Sequence, residues 1–229
     1  MQYRIFGRIH PERVGAWLAP QVWQSAEGHS FTLSCDSSQL IVCADFATNM
    51  GHLDAFILAE QVAQAVVSAL GFALGTGYSV ELVQVVSETG EVQTFGVRPG
   101  NLHFEPSDPV LLQAAELAKK DVFFRMALRD YARAMSQTID CAHYCYRAIE
   151  AIESAFAAAT GGDGWLTMHT ALGTTKEEIK ATVQDYADPV RHGNWSAVKP
   201  STALERNSML LLTRDILTRY MRWKEKEAA

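Results

Sequence analysis

The predominant spacing of the hydrophobic residues changes near residue 100, and this change constrains the fold more than any other feature. Before residue 100, apart from one helical stretch at residues 52–74, apolar residues alternate with polar ones in short runs separated by turn residues, which is typical of β-strands. After residue 109 they recur mainly at helical spacings. The two patterns are separated by Pro99, Gly100, Pro106 and Pro109. The sequence therefore predicts an α+β fold with two domains, residues 1–103 and residues 104–229.

The N-terminal domain is predicted to be a small antiparallel sheet with one long helix. Five strands are expected, at residues 3–9, 31–35, 39–46, 79–87 and 91–97. A short helix is expected at residues 12–18, and a hairpin turn at residues 36–38. The long helix is expected at residues 52–74, where a glycine-rich segment ends it. A sheet with a helix across one face buries the apolar side of both elements.

The C-terminal domain is predicted to be all α. Its first helix is expected from residue 107 or 108 to about residue 137, with room for a kink. A second helix is expected from Asp140 to the glycine run at residues 161–164. A third is expected from about residue 175 to residue 186, because the proline at position 189 disfavours helix before it. A capping box formed by Thr202 and Glu205 predicts the start of the last helix.

Charge and composition narrow the class of protein. The net charge of −6 argues against a broad nucleic-acid surface, although a small site that engages one phosphate is compatible with it. No run reaches the roughly 20 uninterrupted apolar residues of a membrane span, and the N-terminus lacks the apolar core of a secretory signal. These features predict a cytoplasmic protein without a membrane partner.

The four cysteines are expected to be reduced in such a compartment. Cys141 and Cys145 lie four residues apart on a predicted helix and therefore share a face. We interpret them as small apolar core residues, because a zinc site would need two further ligands from distant positions. Neither a metal nor a cofactor is predicted.

The segment at residues 186–195 contains the residues best suited to chemistry. Asp188, Arg191, His192 and Asn194 lie together between two predicted helices. A histidine can exchange a proton near neutral pH, and an adjacent arginine can bind a phosphate through two parallel hydrogen bonds. Phosphoryl chemistry would suit this pair. The alternative is a plain turn, in which Asp188 caps a helix and His192 hydrogen-bonds a carbonyl group.

The helical domain resembles the HEPN domain, which is found in many prokaryotic RNases and defence proteins. The features that carry the resemblance are a helix bearing the run from Tyr146 to Glu150 and a later helix that ends in a polar turn and His192-Gly193. It covers residues 107–227 and implies an HEPN-like helical bundle that forms a homodimer. HEPN RNases cleave RNA without metal, by attack of the ribose 2′-hydroxyl.

The HEPN motif is an arginine, usually followed by a polar residue, and then a histidine after four to six intervening positions. His192 matches the histidine and Asp188 the polar position, but Ala187 stands where the arginine is expected. Three explanations stay open: Arg191 replaces the arginine, the domain is a non-catalytic descendant, or the change was introduced to silence a toxic enzyme.

The resemblance implies a metal-independent RNase or a toxin or defence effector, with RNA as its partner. The alternative function is a non-catalytic dimeric binding or scaffold protein that recognises a protein partner or a ligand. The residues assigned to catalysis are His192, Arg191 and Asp188, and those assigned to support them are Ala187, Asn194, Arg147 and Glu150. Trp165, His169 and Trp195 could form a pocket for a base, with core packing as the alternative.

Overall fold

A computed structural model of the chain describes residues 1–95, 108–138, 140–199 and 201–228. The chain divides into two compact units, residues 1–100 and residues 101–229. The first unit is built on a β-sheet and the second is helical, which confirms the predicted α+β class. The predicted domain boundary between residues 103 and 104 lies outside the described residues.

The N-terminal unit is a six-stranded antiparallel sheet with the strand order β2-β3-β4-β1-β5-β6. Its strands are β1 (Gln2–His10), β2 (Leu18–Gln24), β3 (Ser30–Asp36), β4 (Gln39–Asp45), β5 (Ser79–Ser87) and β6 (Val92–Thr94). The long helix α1 (His52–Leu74) packs across one face, as predicted. Alternate residues of β1 build the core, since Tyr3, Ile5 and Ile9 are buried while Arg4 and Arg8 are exposed.

The structure contradicts one prediction at the edge of this sheet. The helix expected at residues 12–18 is only a 3-10 turn, Glu12–Val14, and the strand β2 that follows was not predicted. The residues of β2 are exposed or half-buried throughout, so the strand lacks the alternation that marks a half-buried strand. Its Pro20 is compatible with an edge position, where one side of the strand has no partner.

The predicted hairpin between β3 and β4 is confirmed. Asp36 pairs with Gln39, and the two residues between them, Ser37 and Ser38, have φ angles of 50° and 67°. Positive φ at both central positions is the requirement of the tight turn that matches the twist of paired strands. The buried Ser38 stabilises this conformation, because its hydroxyl oxygen accepts a hydrogen bond from the Ala16 amide at 2.9 Å.

The C-terminal unit is a helical bundle around one long central helix. Its helices are α2 (Asp108–Lys120), α3 (Val122–Ser136), α4 (Cys141–Thr160), α5 (Gly164–Leu172), α6 (Lys176–Ile179), α7 (Asp185–Arg191) and α8 (Ala203–Ala228). A π-helical turn, Lys180–Gln184, joins α6 to α7. The central helix α4 packs against α3, α5, α7 and α8. The core includes Ile149, Ile152, Phe156 and Tyr220.

The helix expected to continue to residue 137 is two helices, which separate at Asp121. The Asp121 carboxylate accepts hydrogen bonds from the amides of Phe123 and Phe124 at 2.9 and 3.0 Å, and so caps α3. Its second oxygen accepts a hydrogen bond from the Tyr220 hydroxyl at 2.6 Å. The predicted capping box of α8 is confirmed, since the Thr202 amide donates to Glu205 and the Glu205 amide donates to Thr202.

The prediction that Pro189 ends the third helix of this domain is wrong. The helical segment continues through Pro189 to Arg191. A proline ring normally clashes with the carbonyl group four residues earlier. In this chain the wider π-helical turn directly precedes α7, and Pro189 lies within one short helix rather than in the middle of a long regular one.

Among the described residues, α1 is the one helix long and apolar enough to cross a membrane by length and composition. Its inner side is buried in the core with the sheet, and the residues involved include Ala55, Ala59, Ala63 and Val67. A core helix of a soluble protein passes the same test of length and composition. The cytoplasmic location stays a prediction.

Candidate functional site

Arg191 lies at the last position of α7, where its guanidinium group is held by side chains of α4 and α7. Its Nη2 lies 2.9 Å from Glu150 Oε1, and its Nη1 lies 3.3 Å from Asp188 Oδ1. The guanidinium carbon lies 4.7 Å from the centre of the Tyr146 ring. We call this group, Arg191 with Glu150, Asp188 and Tyr146, the arginine clamp. It fixes the guanidinium at the margin of the bundle, half-buried.

Helical spacing explains how the clamp forms. Tyr146 and Glu150 lie one turn apart on α4, so both face the same neighbour. Gln184, Asp188 and Arg191 likewise share one side of the helical segment that follows the π-turn. Gln184 Nε2 donates a hydrogen bond to Asp188 Oδ2 at 3.0 Å, which orients the carboxylate towards Arg191. Isolated π-turns are frequent at functional sites.

The clamp is partly withdrawn from water, and the pKa values of its members reflect this. Burial raises the pKa of Glu150, and the neighbouring Arg191 opposes that rise. Burial and the nearby Glu150 raise the pKa of Tyr146. Burial alone would favour the neutral acid form of Glu150, whereas the charge of Arg191 favours its ionised form.

His192 follows the clamp directly and is exposed. Its amide donates a hydrogen bond to the Asp188 carbonyl at 3.0 Å, which ends α7. The His192 side chain makes no hydrogen bond, ion pair or ring contact with another group in the described part of the chain. Asn194 does not join the clamp, because its side-chain oxygen accepts a hydrogen bond from Ser196 within the following turn. The structure thus places a free imidazole beside a fixed guanidinium.

Ala187, the position of the missing motif arginine, is fully buried in the helical core. It lies one turn after Val183, which is also fully buried, and one turn before Arg191. An arginine at position 187 would place a charged guanidinium group among the apolar side chains of this core, which is costly without a partner. In this fold position 187 is therefore a packing position.

Arg147, assigned to support the site, belongs to a second polar group. Its Nη2 lies 3.2 Å from Asp130 Oδ2, and Arg129 and Arg133 approach the same carboxylate. We call Arg129, Arg133 and Arg147 around Asp130 the arginine cluster. Burial lowers the pKa of the nearby His143, and the charges of Arg147 and Arg191 lower it further, whereas Asp140 and Asp130 oppose the change.

Two of the three predicted pocket aromatics lie beside the clamp. Trp165 stacks on Tyr146 with ring centres 6.1 Å apart, and His169 lies 5.8 Å from Trp165. His169 Nδ1 is within hydrogen-bond distance, 2.8 Å, of the Thr174 hydroxyl. Trp195 is 70% exposed and makes no such ring contact among the described residues. Trp165 therefore stacks on the same ring that Arg191 contacts, and His169 lies against Trp165.

Four participants were not singled out for the site from the sequence, namely Tyr146, Gln184, Asp130 and His143. Gln184, Asp188 and Arg191 are spaced by four and three residues, so the sequence could have predicted that they share one helix face and contact one another. Asp130 had no such signal, because its partner Arg147 lies on a different helix.

The cysteines are unpaired in the structure. Cys35, Cys141 and Cys145 are buried and Cys43 is exposed. Burial raises the pKa of the Cys145 thiol, as expected for a core position. Within the described residues, no group of three or more His, Cys, Asp or Glu side chains is placed to hold a metal ion.

The protein therefore consists of an N-terminal sheet unit and a helical unit, and the helical unit holds Arg191 in a fixed position at the end of α7. Two family models match the chain: the domain of unknown function DUF8168, N-terminal domain, over residues 3–95, and the DUF8168 C-terminal domain over residues 110–225. The chain belongs to the DUF8168 family. Comparisons with curated proteins and with solved structures found no significant match.

Proposed function

We propose that the helical unit is an HEPN-like domain and that the chain is a homodimeric, metal-independent RNase of the toxin or defence type. The observation that carries this proposal is the end of α7, where the clamped Arg191 adjoins the exposed His192. A fixed cation and a free proton-transfer group are the two elements that phosphodiester cleavage by an internal hydroxyl requires.

In the proposed reaction, His192 takes the proton of a ribose 2′-hydroxyl as that oxygen attacks the adjacent phosphorus. His192 of a second copy protonates the 5′-oxygen as its bond to phosphorus breaks. The products are a 2′,3′-cyclic phosphate and a 5′-hydroxyl. Arg191 stabilises the charge on the phosphorus oxygens through N–H groups that its two carboxylates leave unused, and Asp188 orients it.

The net charge of the whole chain is unfavourable for RNA binding, but the charge of the helical unit alone is less so. Residues 1–100 contain 4 basic and 9 acidic residues, whereas residues 101–229 contain 16 basic and 17 acidic residues. Most of the negative excess therefore belongs to the sheet unit. A polyanion approaching the helical unit meets a nearly balanced charge.

The proposal is tested by RNA cleavage in the presence of a chelator, with the parent chain, His192→Ala and Arg191→Gln. Both variants should lose at least about a hundredfold in rate, the lower end of the effect of proton transfer and charge stabilisation. His10→Ala is the matched control, since it removes a partly exposed imidazole of the sheet unit. Cleavage that persists in His192→Ala, or that ends in a 3′-hydroxyl, contradicts the proposed mechanism.

A second candidate is a non-catalytic dimeric binding protein. Two observations favour it: Ala187 is a packing position, and Arg191 is already engaged by two carboxylates. It predicts that neither the parent chain nor any variant cuts a broad RNA panel, although a ligand or protein partner binds. The cleavage experiment above separates the two functions directly.

A further inference from the structure

Three guanidinium groups share one carboxylate on the surface formed by α3 and α4. Asp130 is 2% exposed, and its Oδ2 lies 3.2 Å from Arg147 Nη2. Its Oδ1 lies 3.7 Å from Arg129 Nε and 3.9 Å from Arg133 Nη1. Since each arginine is charged at all ordinary pH values, the arginine cluster carries an excess of positive charge.

The hydrogen-bond donors of this cluster are available to a ligand. The side chains of Arg129, Arg133 and Arg147 are 49%, 44% and 38% exposed. In the described part of the chain, none of the three guanidinium groups donates a hydrogen bond, and Asp130 Oδ1 is buried without a hydrogen-bond partner. A guanidinium has five N–H donors in a fork that matches phosphate oxygens.

An aromatic ring lies beside two of these cations. The guanidinium carbon of Arg133 lies 5.6 Å from the centre of the Tyr144 ring, and that of Arg147 lies 5.9 Å from it. Tyr144 is half-buried and belongs to the first turns of α4, near the end where the helix dipole is positive. Proteins bind single-stranded nucleic acids by combining basic side chains, which contact phosphates, with aromatic rings, on which bases stack.

A purely structural role accounts for only part of the cluster. A shared hydrophobic core holds α3 and α4 together, and one ion pair, Arg147 with Asp130, links the two helices at the edge of that core. Arg129 and Arg133 lie on α3 with Asp130 itself, at distances that contribute little stability for exposed side chains. Both side chains therefore remain available to a ligand, and Arg133 also lies beside Tyr144.

We propose that Arg129, Arg133 and Arg147, with Tyr144, form a binding site for single-stranded RNA. The guanidinium groups hold the phosphates, and an unpaired base stacks on Tyr144. The choice of RNA rests on the proposed function, but the site is separate from His192 and does not require cleavage.

The test is binding of a short fluorescent RNA whose ribose 2′-hydroxyls are methylated, so that attack by the 2′-oxygen is blocked. Full-length parent is compared with Arg133→Gln/Arg147→Gln, and with Arg222→Gln/Lys226→Gln, which removes the same charge from an exposed part of α8. The cluster variant should bind about tenfold or more weakly. The slope of log affinity against log salt should fall by about 1.4, since each phosphate contact on a single strand contributes about 0.7. The α8 variant should bind like the parent.

Tyr144 provides the second arm of the test. Tyr144→Ala should weaken binding of the single strand about tenfold, and Tyr144→Phe should preserve it, because only the ring face is used. Binding of a duplex should not distinguish the two variants. Far-ultraviolet circular dichroism of each variant establishes that the helices are intact.

The results separate this site from the proposed RNase activity. Loss of binding in the cluster variant supports the site even if unmodified RNA is never cut. Equal binding by the cluster variant and the α8 variant overturns the site even if His192-dependent cleavage occurs. A parent chain that binds no RNA, or that binds only an acidic protein, also overturns it.

Discussion

Ala187 and Arg191 lie one turn apart in α7, and their surroundings decide what each can do. Ala187 is fully buried with Val183, whereas Arg191 reaches the half-buried margin where Glu150 and Asp188 hold it. The arginine that the HEPN motif expects therefore cannot be supplied at position 187 without a charge entering the core. If this chain uses an arginine at its site, Arg191 is the residue positioned to serve.

Substitution Ala187→Arg is expected to destabilise the helical unit rather than to restore activity. Burying a guanidinium without a partner costs about 3 kcal/mol or more, a large share of the stability of a typical domain. The matched control is Ala181→Arg, because Ala181 is exposed in the same helical segment and should change stability by less than about 0.5 kcal/mol. Urea denaturation measures both. Equal stability of the two variants would show that position 187 tolerates the charge.

Arg191→Gln should make stability depend on pH in a defined direction. Burial raises the pKa of Glu150 from 4.5 and Arg191 opposes this, so the substitution should raise that pKa further. A carboxyl group with a raised pKa in the folded state contributes stability below its unfolded pKa and loses it as the pH rises. The variant should therefore be less stable than the parent by about 1–2 kcal/mol at pH 7, and the difference should shrink towards pH 4.5.

The control for this pH dependence is Glu150→Gln/Arg191→Gln, which removes the titrating group together with its partner. Urea denaturation at several pH values is the measurement for all three chains. A difference between parent and Arg191→Gln that is constant with pH would mean that Glu150 does not depend on the clamp.

At the scale of elements, the sequence predicts the helices and strands whose apolar residues follow a regular spacing. The bounds of α1 and β5, and the hairpin of β3 and β4, agree with the expectations because alternation, helical spacing and turn residues are local signals. The strand β2 was missed because exposure on both faces erases the alternation. The helix α5 was missed because the glycine run before it indicated only the end of α4, although Asp163 caps it.

The packing of α5 against α4 depends on a glycine. A Cβ atom at Gly164 would lie 2.6 Å from the Glu153 carbonyl oxygen and 2.8 Å from the Ala157 Cβ, both too close. Gly164→Ala should therefore cost about 1–3 kcal/mol, in spite of the better helix propensity of alanine. Gly162→Ala is the control, since a Cβ atom there approaches only the Thr160 hydroxyl, at 3.9 Å. Thermal denaturation should separate the two variants, and equal melting temperatures would contradict the close contact.

At the scale of the whole molecule, the sequence could not predict how the candidate site is assembled. It placed Asp188, Arg191 and His192 in one segment, but the clamp also needs Glu150 and Tyr146 from a helix about 40 residues earlier. Contacts of this kind depend on how two helices pack, which no local pattern encodes. The division of charge between the two units, in contrast, follows from the sequence alone, because the change of pattern near residue 100 already separates them.

The proposed function requires two copies of the chain with both His192 side chains in one cleft. In a Cys43→Ser background, which removes the one exposed cysteine of the described residues, His192→Cys should be joined between subunits by a short bifunctional maleimide. Lys176→Cys, exposed at the start of α6, should not be joined. The cross-linked product should have twice the mass of the 25.3 kDa chain on a denaturing gel. If light scattering detects a dimer that does not cross-link at position 192, the dimer interface lies elsewhere. If the chain is a monomer, the proposed reaction fails, because it takes its base and its acid from two copies of His192.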